Sequence, residues 1–339
     1  MPSQDVRKFT VMSVMIYLTE RCPLDCSYCY FRHKKNREIS WEVVRCFLAF
    51  VKHEWTAPSS FVISGGEALM RWDRVQQLVG MLRAGFPDST IGLQTNGLLL
   101  DRWKVRWLKR WGVRVEVGID GGFATTARWR RPMTRDMFAR LEANIRHATD
   151  AGLSCGCTMT VHPEEVACMA ENMRFIRGLG MRSVDITPAA FMPWDKASIW
   201  RFKLEYLRLL QVREIASILF TGEDRQLLER GAVDISLHPT GEVLLGDAFL
   251  CLPDNVRRKF SLWDRRRGKL RPETAVYYWR VYARLWKHSS KKTYRDYVIF
   301  SFAVVNRMMG KVYMNVSAMA PLMVFLRRAH RAILWRRDG

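Results

Sequence analysis

The sequence predicts an α/β fold: a partial barrel of six β/α repeats, followed by a β-hairpin and a basic, helical extension. Two features predict it. Short β-branched or apolar runs alternate with longer segments whose apolar residues recur at helical spacing, which is typical of a parallel sheet covered by helices. Several helical segments also end at a glycine, a residue that often terminates helices. A chain of 339 residues is long enough to bury a full core around such a sheet.

The predicted elements place several polar residues and a cysteine directly after strands. The six predicted strands occupy residues 12–18, 60–63, 90–95, 114–119, 154–161 and 182–187. The predicted helices occupy residues 41–53, 73–84, 102–111, 135–151, 164–179 and 197–220. In folds of this kind, chemistry gathers at the carboxyl ends of the strands. Cys22, Gly65, Asn96 and Asp120 each fall just past a predicted strand, so we expect the fold to bring them together.

Three segments are predicted along the chain. Residues 1–222 hold the six repeats and form the core domain. Residues 223–255 contain a β-hairpin over 233–252, with its turn at Pro239, Thr240 and Gly241. Residues 256–339 form a basic, partly apolar helical extension.

The charge of the chain is concentrated in that extension. The formal net charge is +22, and residues 256–339 carry 21 Lys or Arg against 4 Asp or Glu, a net charge of +17. Such a segment suits nucleic acid, an anionic membrane surface or an acidic peptide, and a solvated basic face explains it equally well. Its apolar stretches, 297–309 and 312–326, are interrupted and shorter than a membrane span, so an interfacial or docked amphipathic helix is favoured over a transmembrane one.

The cysteines and the first residues indicate the compartment. Eight cysteines in a chain of this length are too sparse for a disulfide scaffold. Residues 1–10 contain no apolar stretch followed by a cleavage site. We therefore expect a cytoplasmic protein, with peripheral membrane contact through residues 256–339 as an open alternative.

Three cysteines stand close together after the first predicted strand, in Cys22-Pro-Leu-Asp-Cys26-Ser-Tyr-Cys29. Close thiolates outside a disulfide favour a soft metal. A structural zinc ion would require a fourth ligand, for which His33 is a candidate. A 4Fe-4S cluster suits three ligands better, because one iron then stays open for a cofactor or substrate.

The spacing of these cysteines, after "IYLTER" and before "YF", resembles the signature of the radical S-adenosylmethionine (SAM) superfamily. The resemblance implies that SAM binds the open iron. Cleavage of SAM to methionine and a 5'-deoxyadenosyl radical then starts hydrogen abstraction from a substrate. It also implies a reduced flavodoxin- or ferredoxin-type protein as the electron donor.

Further segments resemble the SAM-binding parts of this family. Ser64-Gly65-Gly66-Glu67 is similar to the motif that holds the methionine amino group, although a plain strand-end turn explains it nearly as well. Arg130 matches an arginine that approaches SAM, and Gly118 stands where a ribose-binding serine is common. The residues that the resemblance places around SAM are Tyr28, Ser64, Gly65, Gly66, Glu67, Gln94, Asn96, Gly118 and Arg130, with Cys22, Cys26 and Cys29 on the cluster.

Two residues are candidates for the substrate side. Asp120 is placed to orient a substrate or accept a proton, while capping of a strand-end turn explains it equally well. Cys251 follows a segment similar to the start of the SPASM or twitch extension, but the further cysteines that would bind auxiliary clusters there are missing. Cys251 is therefore either a hydrogen-atom donor or a buried hydrophobe.

The resemblance is nearest to the subgroup that matures peptides and proteins, which includes the anaerobic sulfatase-maturing enzymes. It implies an enzyme that modifies a peptide or protein. One alternative is a radical SAM enzyme that acts on a small or lipid-linked metabolite at a membrane surface. A lower-ranked alternative is a nucleic-acid-binding protein with a structural metal, suggested by the basic, Trp- and Tyr-rich extension.

Overall fold

A computed structural model describes residues 11–31, 34–55, 57–181, 183–189, 192–211, 233–245, 249–250, 252–264, 266 and 269–271. The chain divides into two compact units. The first contains residues 1–22, 30–92 and 226–309, and the second contains residues 23–29, 93–225 and 310–339.

The strands and helices alternate as the sequence predicts. The strands are β1 (Val11–Tyr17), β2 (Asp25–Cys26), β3 (Ser60–Ser64), β4 (Thr90–Thr95), β5 (Val113–Gly118), β6 (Arg130–Arg131), β7 (Cys155–Val161), β8 (Val184–Pro188), β9 (Val233–Leu237), β10 (Val243–Leu245), β11 (Trp263–Asp264) and β12 (Lys269–Leu270). The helices are α1 (Trp41–Glu54), α2 (Trp72–Gly85), α3 (Arg102–Arg110), α4 (Phe123–Trp129), α5 (Arg135–Asp150), α6 (Met169–Gly178), α7 (Lys196–Gln211) and α8 (Asp254–Arg257).

The first unit is built on strands in the order β10, β9, β1, β3, with the start of β4 next. β1 pairs in parallel with β3 on one side and with β9 on the other, and β9 and β10 form an antiparallel hairpin. The predicted hairpin therefore extends the sheet beside β1. Its turn ends at Gly241, whose φ of 93° favours glycine.

The second unit continues from the end of β4 in the order β5, β7, β8. β7 pairs in parallel with both β5 and β8. Along β7 the side chains alternate between buried and half-buried, which puts Cys155 and Cys157 on one face. α4 and the short pair formed by β2 and β6 were not predicted from the sequence.

All six predicted strands and all six predicted helical regions are present, with differences at their ends. The helix predicted over residues 164–179 is a 3-10 segment, Pro163–Cys168, followed by α6. α7 is described as far as Gln211, so the rest of the helix predicted to residue 220 lies outside the described residues. The fold class is α/β with a parallel sheet, as predicted.

Apolar side chains on the inner helix faces complete each core. In α1, Val44, Phe47 and Val51 are fully buried, and each side chain of this kind stabilises the fold by roughly 1.5–3 kcal/mol. Cys46, in the same helix, is exposed. It lies two residues from Val44, which turns it to the opposite side of the helix.

No helix in the described part of the chain combines the length and apolar composition needed to cross a bilayer. The two apolar stretches of the predicted extension, 297–309 and 312–326, lie outside the described residues.

Candidate functional site

The loop that leads into the cysteine motif is held at the carboxyl end of β1. The backbone N–H of Gly66 donates to the carbonyl of Thr19, and that of Glu67 donates to the carbonyl of Arg21, both at 2.7 Å. A Cβ atom on Gly66 would lie 2.4 Å from the Arg21 carbonyl oxygen. Glycine is therefore required for the two loops to approach this closely, directly before Cys22.

The remaining residues of the glycine motif lie in the same unit, with Ser64 and Glu67 buried. Ser64 ends β3, and its carbonyl accepts a 2.9 Å hydrogen bond from the N–H of Leu18. A Cβ atom on Gly65 would lie 2.7 Å from the Thr19 carbonyl oxygen. The buried Glu67 carboxylate accepts from the N–H of Leu69 at 2.9 Å and caps a short 3-10 segment. Its pairing with a ligand amino group stays a prediction.

A buried charge network, which the sequence did not predict, anchors Glu20 two residues before the first cysteine. Glu20 is 1% exposed, and its carboxylate accepts from the Lys35 N–H at 2.7 Å and from Arg37 Nε at 2.9 Å. The other Arg37 nitrogens reach Asp254 at 2.8 and 3.0 Å. His238 Nε2 lies 3.4 Å from Glu20, so the hairpin turn joins this network.

The hairpin turn contributes a second buried carboxylate to that network. Burial would raise the pKa of Glu242, but hydrogen bonds from His238 and Thr240 and the charge of Arg257 lower it to about 2. Arg257 also pairs with Asp254 at 2.8 Å. The start of the cysteine loop and the hairpin are therefore tied together by ionised groups that exchange several hydrogen bonds.

In the second unit, the segment between the second and third cysteines is bound to the strand that carries Arg130. β2 and β6 pair so that Cys26 lies opposite Arg130. The N–H of Ser27 donates to the Trp129 carbonyl at 3.0 Å, and the N–H of Cys29 donates to the Cys26 carbonyl at 3.0 Å. The backbone around both cysteines is therefore fixed by hydrogen bonds.

Asp120 is the centre of the polar contacts in this unit. Its side chain is fully buried and accepts four hydrogen bonds. Arg130 donates from Nε at 2.9 Å and from Nη2 at 2.8 Å, the Tyr28 hydroxyl donates at 2.5 Å, and the Thr160 N–H donates at 3.0 Å. The structure therefore places three predicted site residues together, with the carboxylate between the arginine and the phenol.

Gly118 explains how Arg130 fits beside Asp120. A Cβ atom on Gly118 would lie 2.4 Å from Arg130 Nη1 and 3.0 Å from its Cζ. The guanidinium therefore occupies the space that a side chain at position 118 would require. The guanidinium carbon also lies 5.4 Å from the centre of the Tyr28 ring, within cation–π range.

His162 belongs to the same site and was missed. It directly follows β7, and its position after a predicted strand was the available signal. Its ring is fully buried and stacks on Trp129 with centroids 3.4 Å apart and an interplanar angle of 10°. His162 Nε2 lies 3.1 Å from the Ser27 hydroxyl, inside the cysteine motif, and the Tyr28 ring is 5.8 Å away.

The ionisation of these groups follows from their burial. Burial lowers the pKa of His162 to about 4, so its ring is neutral at pH 7. Burial, together with Asp120, raises the pKa of Tyr28 well above its ordinary value, which keeps the phenol a donor. Within the described residues, His162 Nδ1 and Trp129 Nε1 are both buried without a hydrogen-bond partner.

The other predicted site residues have separate surroundings. Gln94 is half-buried in β4, and Asn96 follows that strand and accepts from the N–H of Leu98 at 3.0 Å. Cys251 lies outside the described residues, as does the zinc-ligand candidate His33.

The three motif cysteines form no disulfide bond with one another, and each is half-buried. Cys22 belongs to the first unit, and Cys26 and Cys29 belong to the second. In the part of the chain that the structure describes, no group of three or more His, Cys, Asp or Glu side chains is arranged to hold a metal ion. Thiols are the ligands that iron–sulfur clusters use, so three accessible thiols in one short loop fit such a cluster.

Comparison with known proteins identifies one family model. The model of the Radical SAM superfamily matches residues 16–176, which include the cysteine motif, Glu67, Asp120 and His162. The PqqA peptide cyclase of Gluconobacter oxydans is 28% identical over 185 residues, 54% of this chain and 51% of that protein. A Methanothermobacter marburgensis protein named "Probable GTP 3',8-cyclase" is 24% identical over 275 residues, 80% of this chain and 79% of that protein. The chain spans 38, 51 and 62% of the length of three of its curated relatives.

Solved structures share the fold at low sequence identity. Native anSMEcpe with bound AdoMet superposes with a TM-score of 0.58 and 13% identity, covering 88% of this chain and 99% of that chain. Streptococcus suis SuiB bound to its precursor peptide SuiA superposes with a TM-score of 0.58 and 14% identity, covering 73% of this chain and 62% of that chain.

Proposed function

The chain contains a radical SAM domain over residues 16–176, and from that premise we propose that it is an enzyme that modifies a peptide or protein by hydrogen abstraction. The observation that carries the proposal is the family match across the motif of Cys22, Cys26 and Cys29. The peptide is supported by the PqqA peptide cyclase among the relatives and by SuiB, solved with a precursor peptide, among the proteins of the same fold.

The proposed cofactors are a 4Fe-4S cluster on the three cysteines and SAM beside it. When bound, they supply one-electron cleavage of SAM to a 5'-deoxyadenosyl radical. Ser64, Gly65, Gly66 and Glu67 would hold the methionine end. The proposed contacts around the rest of SAM come from Tyr28, Gln94, Asn96, Gly118 and Arg130.

The residues of the chain supply placement and exclusion of water. The charge network of Glu20 and Arg37 fixes the loop before Cys22, and Asp120 fixes Tyr28 and Arg130. Asp120 is fully buried and already accepts four hydrogen bonds, so we propose that it positions the side chains of Tyr28 and Arg130. Direct contact of its carboxylate with a substrate would require one of these two side chains to move. Cys251 is retained as a proposed hydrogen-atom donor.

A second candidate substrate is a small molecule. The "Probable GTP 3',8-cyclase" match covers 80% of this chain, more than the 54% covered by the PqqA peptide cyclase match. A nucleotide is therefore the alternative to a peptide, and a lipid-linked metabolite stays a prediction from the sequence. The proposed electron donor in either case is a reduced flavodoxin- or ferredoxin-type protein.

Anaerobic reconstitution with iron and sulfide tests the cofactor assignment. The wild-type chain should form 5'-deoxyadenosine from SAM with a strong reductant, and Cys22→Ala, Cys26→Ala and Cys29→Ala should each abolish it. Cys46→Ala is the matched control, since Cys46 is an exposed thiol on α1 and should retain full activity. Formation of 5'-deoxyadenosine by any of the three motif variants would contradict the assignment.

Co-expression with candidate substrates tests the substrate class. Mass spectrometry of a precursor peptide encoded beside the enzyme should show a change of mass that depends on Cys26. Consumption of GTP, with every candidate peptide unchanged, would favour the small-molecule alternative.

A further inference from the structure

The outer face of α3 carries a regular pattern of aromatic and basic side chains. Tryptophans recur every four residues at Trp103, Trp107 and Trp111, and arginines recur at the same spacing at Arg102, Arg106 and Arg110. Residues four apart lie on the same side of a helix, so the pattern forms two adjacent rows. We call these six residues the tryptophan–arginine face.

This face is exposed while the opposite face of α3 is packed. Val105 and Leu108 are fully buried, whereas Trp103 is 50% exposed and Trp111 is 39% exposed. The three arginines are also exposed. Trp107, between these two tryptophans, is half-buried. Exposed indole rings are unfavourable in water, and large exposed apolar patches usually mark an interaction surface. The helix therefore presents the tryptophans outward without leaving its place beside the sheet.

The charge of α3 is entirely positive. Besides the three arginines it contains Lys104 and Lys109, and none of its residues from Arg102 to Arg110 is acidic. The acidic residue at its start, Asp101, caps the helix by accepting from the Lys104 N–H at 2.9 Å. The partner that fits this face carries negative charge and accepts indole rings.

We propose that the tryptophan–arginine face docks the enzyme on an anionic lipid surface. Tryptophan prefers the level of the lipid headgroups, and arginine pairs with phosphates there. Leu99, just before the helix, is 37% exposed and adds an aliphatic side chain to the same region. This docking is independent of the proposed chemistry and of residues 256–339.

A nucleic acid is the partner of another class that basic and aromatic side chains suit. Bases bind aromatic side chains by stacking on their faces. Trp107 and Trp111 already stack on each other, with centroids 5.3 Å apart and an interplanar angle of 23°, which occupies one face of each ring. An aliphatic side chain such as Leu99 offers a base neither a hydrogen bond nor a ring to stack on, so the observations favour lipid.

Sedimentation of the full chain with vesicles tests the proposal. The wild-type protein should bind phosphatidylcholine vesicles containing phosphatidylserine and should not bind pure phosphatidylcholine vesicles. Each arginine near an anionic surface contributes roughly a fivefold increase in binding, so R102Q/R106Q/R110Q should lose on the order of 100-fold. Trp103→Ser removes no charge and should also weaken binding.

The control is R140Q/R174Q/R177Q, which removes the same charge from exposed positions on α5 and α6. It should retain at least one-tenth of wild-type binding to the anionic vesicles. All six arginines are exposed, so the two triple variants should keep the wild-type melting temperature and 5'-deoxyadenosine formation. That readout separates failure of docking from failure of the proposed chemistry.

Three results would overturn the proposal. The first is absence of wild-type binding to the anionic vesicles. The second is equal binding by the two triple variants, which would assign vesicle binding to other basic residues such as those in 256–339. The third is retention of single-stranded RNA that R102Q/R106Q/R110Q abolishes, with vesicle binding unaffected, which would assign the face to nucleic acid.

Discussion

Replacement of Asp120 by asparagine should destabilise the protein severely, because the buried carboxylate serves four donors at once. Two of these donors face each carboxylate oxygen: Arg130 Nε and the Tyr28 hydroxyl at Oδ2, and Arg130 Nη2 and the Thr160 N–H at Oδ1. The amide nitrogen of Asp120→Asn would point at one of these donor pairs in either orientation. It would also leave the buried Arg130 charge without its counter-ion.

The magnitude follows from those two losses. Two donors without acceptors cost about 1–3 kcal/mol each, and breaking a buried ion pair from one side costs about 3–5 kcal/mol. The two estimates describe the same event, so we expect the free energy of unfolding to fall by about 3–5 kcal/mol. Guanidinium titrations of Asp120→Asn and wild-type protein at pH 7 measure it.

Two further variants make this test specific. Asp150→Asn removes an exposed carboxylate from the end of α5 and should change stability by less than about 0.5 kcal/mol. The double variant D120N/R130Q should be less destabilised than the sum of its single variants, since Arg130 then leaves no uncompensated charge. A loss below about 1 kcal/mol in Asp120→Asn, or simple additivity in the double variant, would refute the reasoning.

Three more predictions concern stability. The depressed pKa of His162, about 4, means that the unfolded chain binds a proton between about pH 6.5 and pH 4 that the folded chain excludes. The free energy of unfolding should therefore fall by up to roughly 3 kcal/mol as pH is lowered from 6.5 to 4. In denaturation measured at several pH values, His162→Gln should flatten this dependence, and an unchanged slope would contradict the reasoning. The pKa of Glu242 is lowered to about 2, so this group, unlike His162, is charged in the folded protein at pH 7. The stability that ionised Glu242 contributes is fully present above about pH 4.5 and is lost as pH falls toward 2. Glu242→Gln should therefore lower stability at pH 7 and make stability less sensitive to acid below pH 4.5. Equal acid sensitivity in both proteins would argue against the network. Gly66→Ala should disrupt the fold because its Cβ would meet a backbone carbonyl oxygen at 2.4 Å. Gly80→Ala should instead stabilise the protein by up to about 1 kcal/mol, because Gly80 lies in α2 and its added Cβ would have no atom within 4 Å. A melting temperature of Gly66→Ala above that of Gly80→Ala would refute this account.

Local pattern predicted the elements and the cysteine motif. The strand over residues 90–95 matches β4 at both ends, because its β-branched and apolar residues are bounded by polar turns on each side. The glycines at positions 65 and 66 stand out in the sequence as part of a ligand-binding motif, and that role stays a prediction; the structure shows both packed against the backbone of Thr19 and Arg21. These features depend on side-chain type and spacing over a few residues, which a sequence displays directly.

The partners of the buried polar groups could not be predicted in the same way. Asp120 was identified as a site residue, but its contacts with Tyr28 and Thr160 join residues 92 and 40 positions away. The link between Ser27 and His162 spans 135 positions. Such pairs depend on which strand ends become neighbours, and propensities along the chain carry no information about that.

The sequence by itself determined that this protein has alternating strands and helices, a trio of thiols after the first strand and a glycine loop after the second. Only the tertiary structure decided that Arg130 fills the space left by Gly118, that β9 lies beside β1, and that His162 stacks on Trp129. The physical reason is the separation along the chain over which each kind of interaction acts. Backbone preference and periodicity act between neighbours in the chain, while burial, charge pairing and stacking act between surfaces that meet only after the sheet has formed.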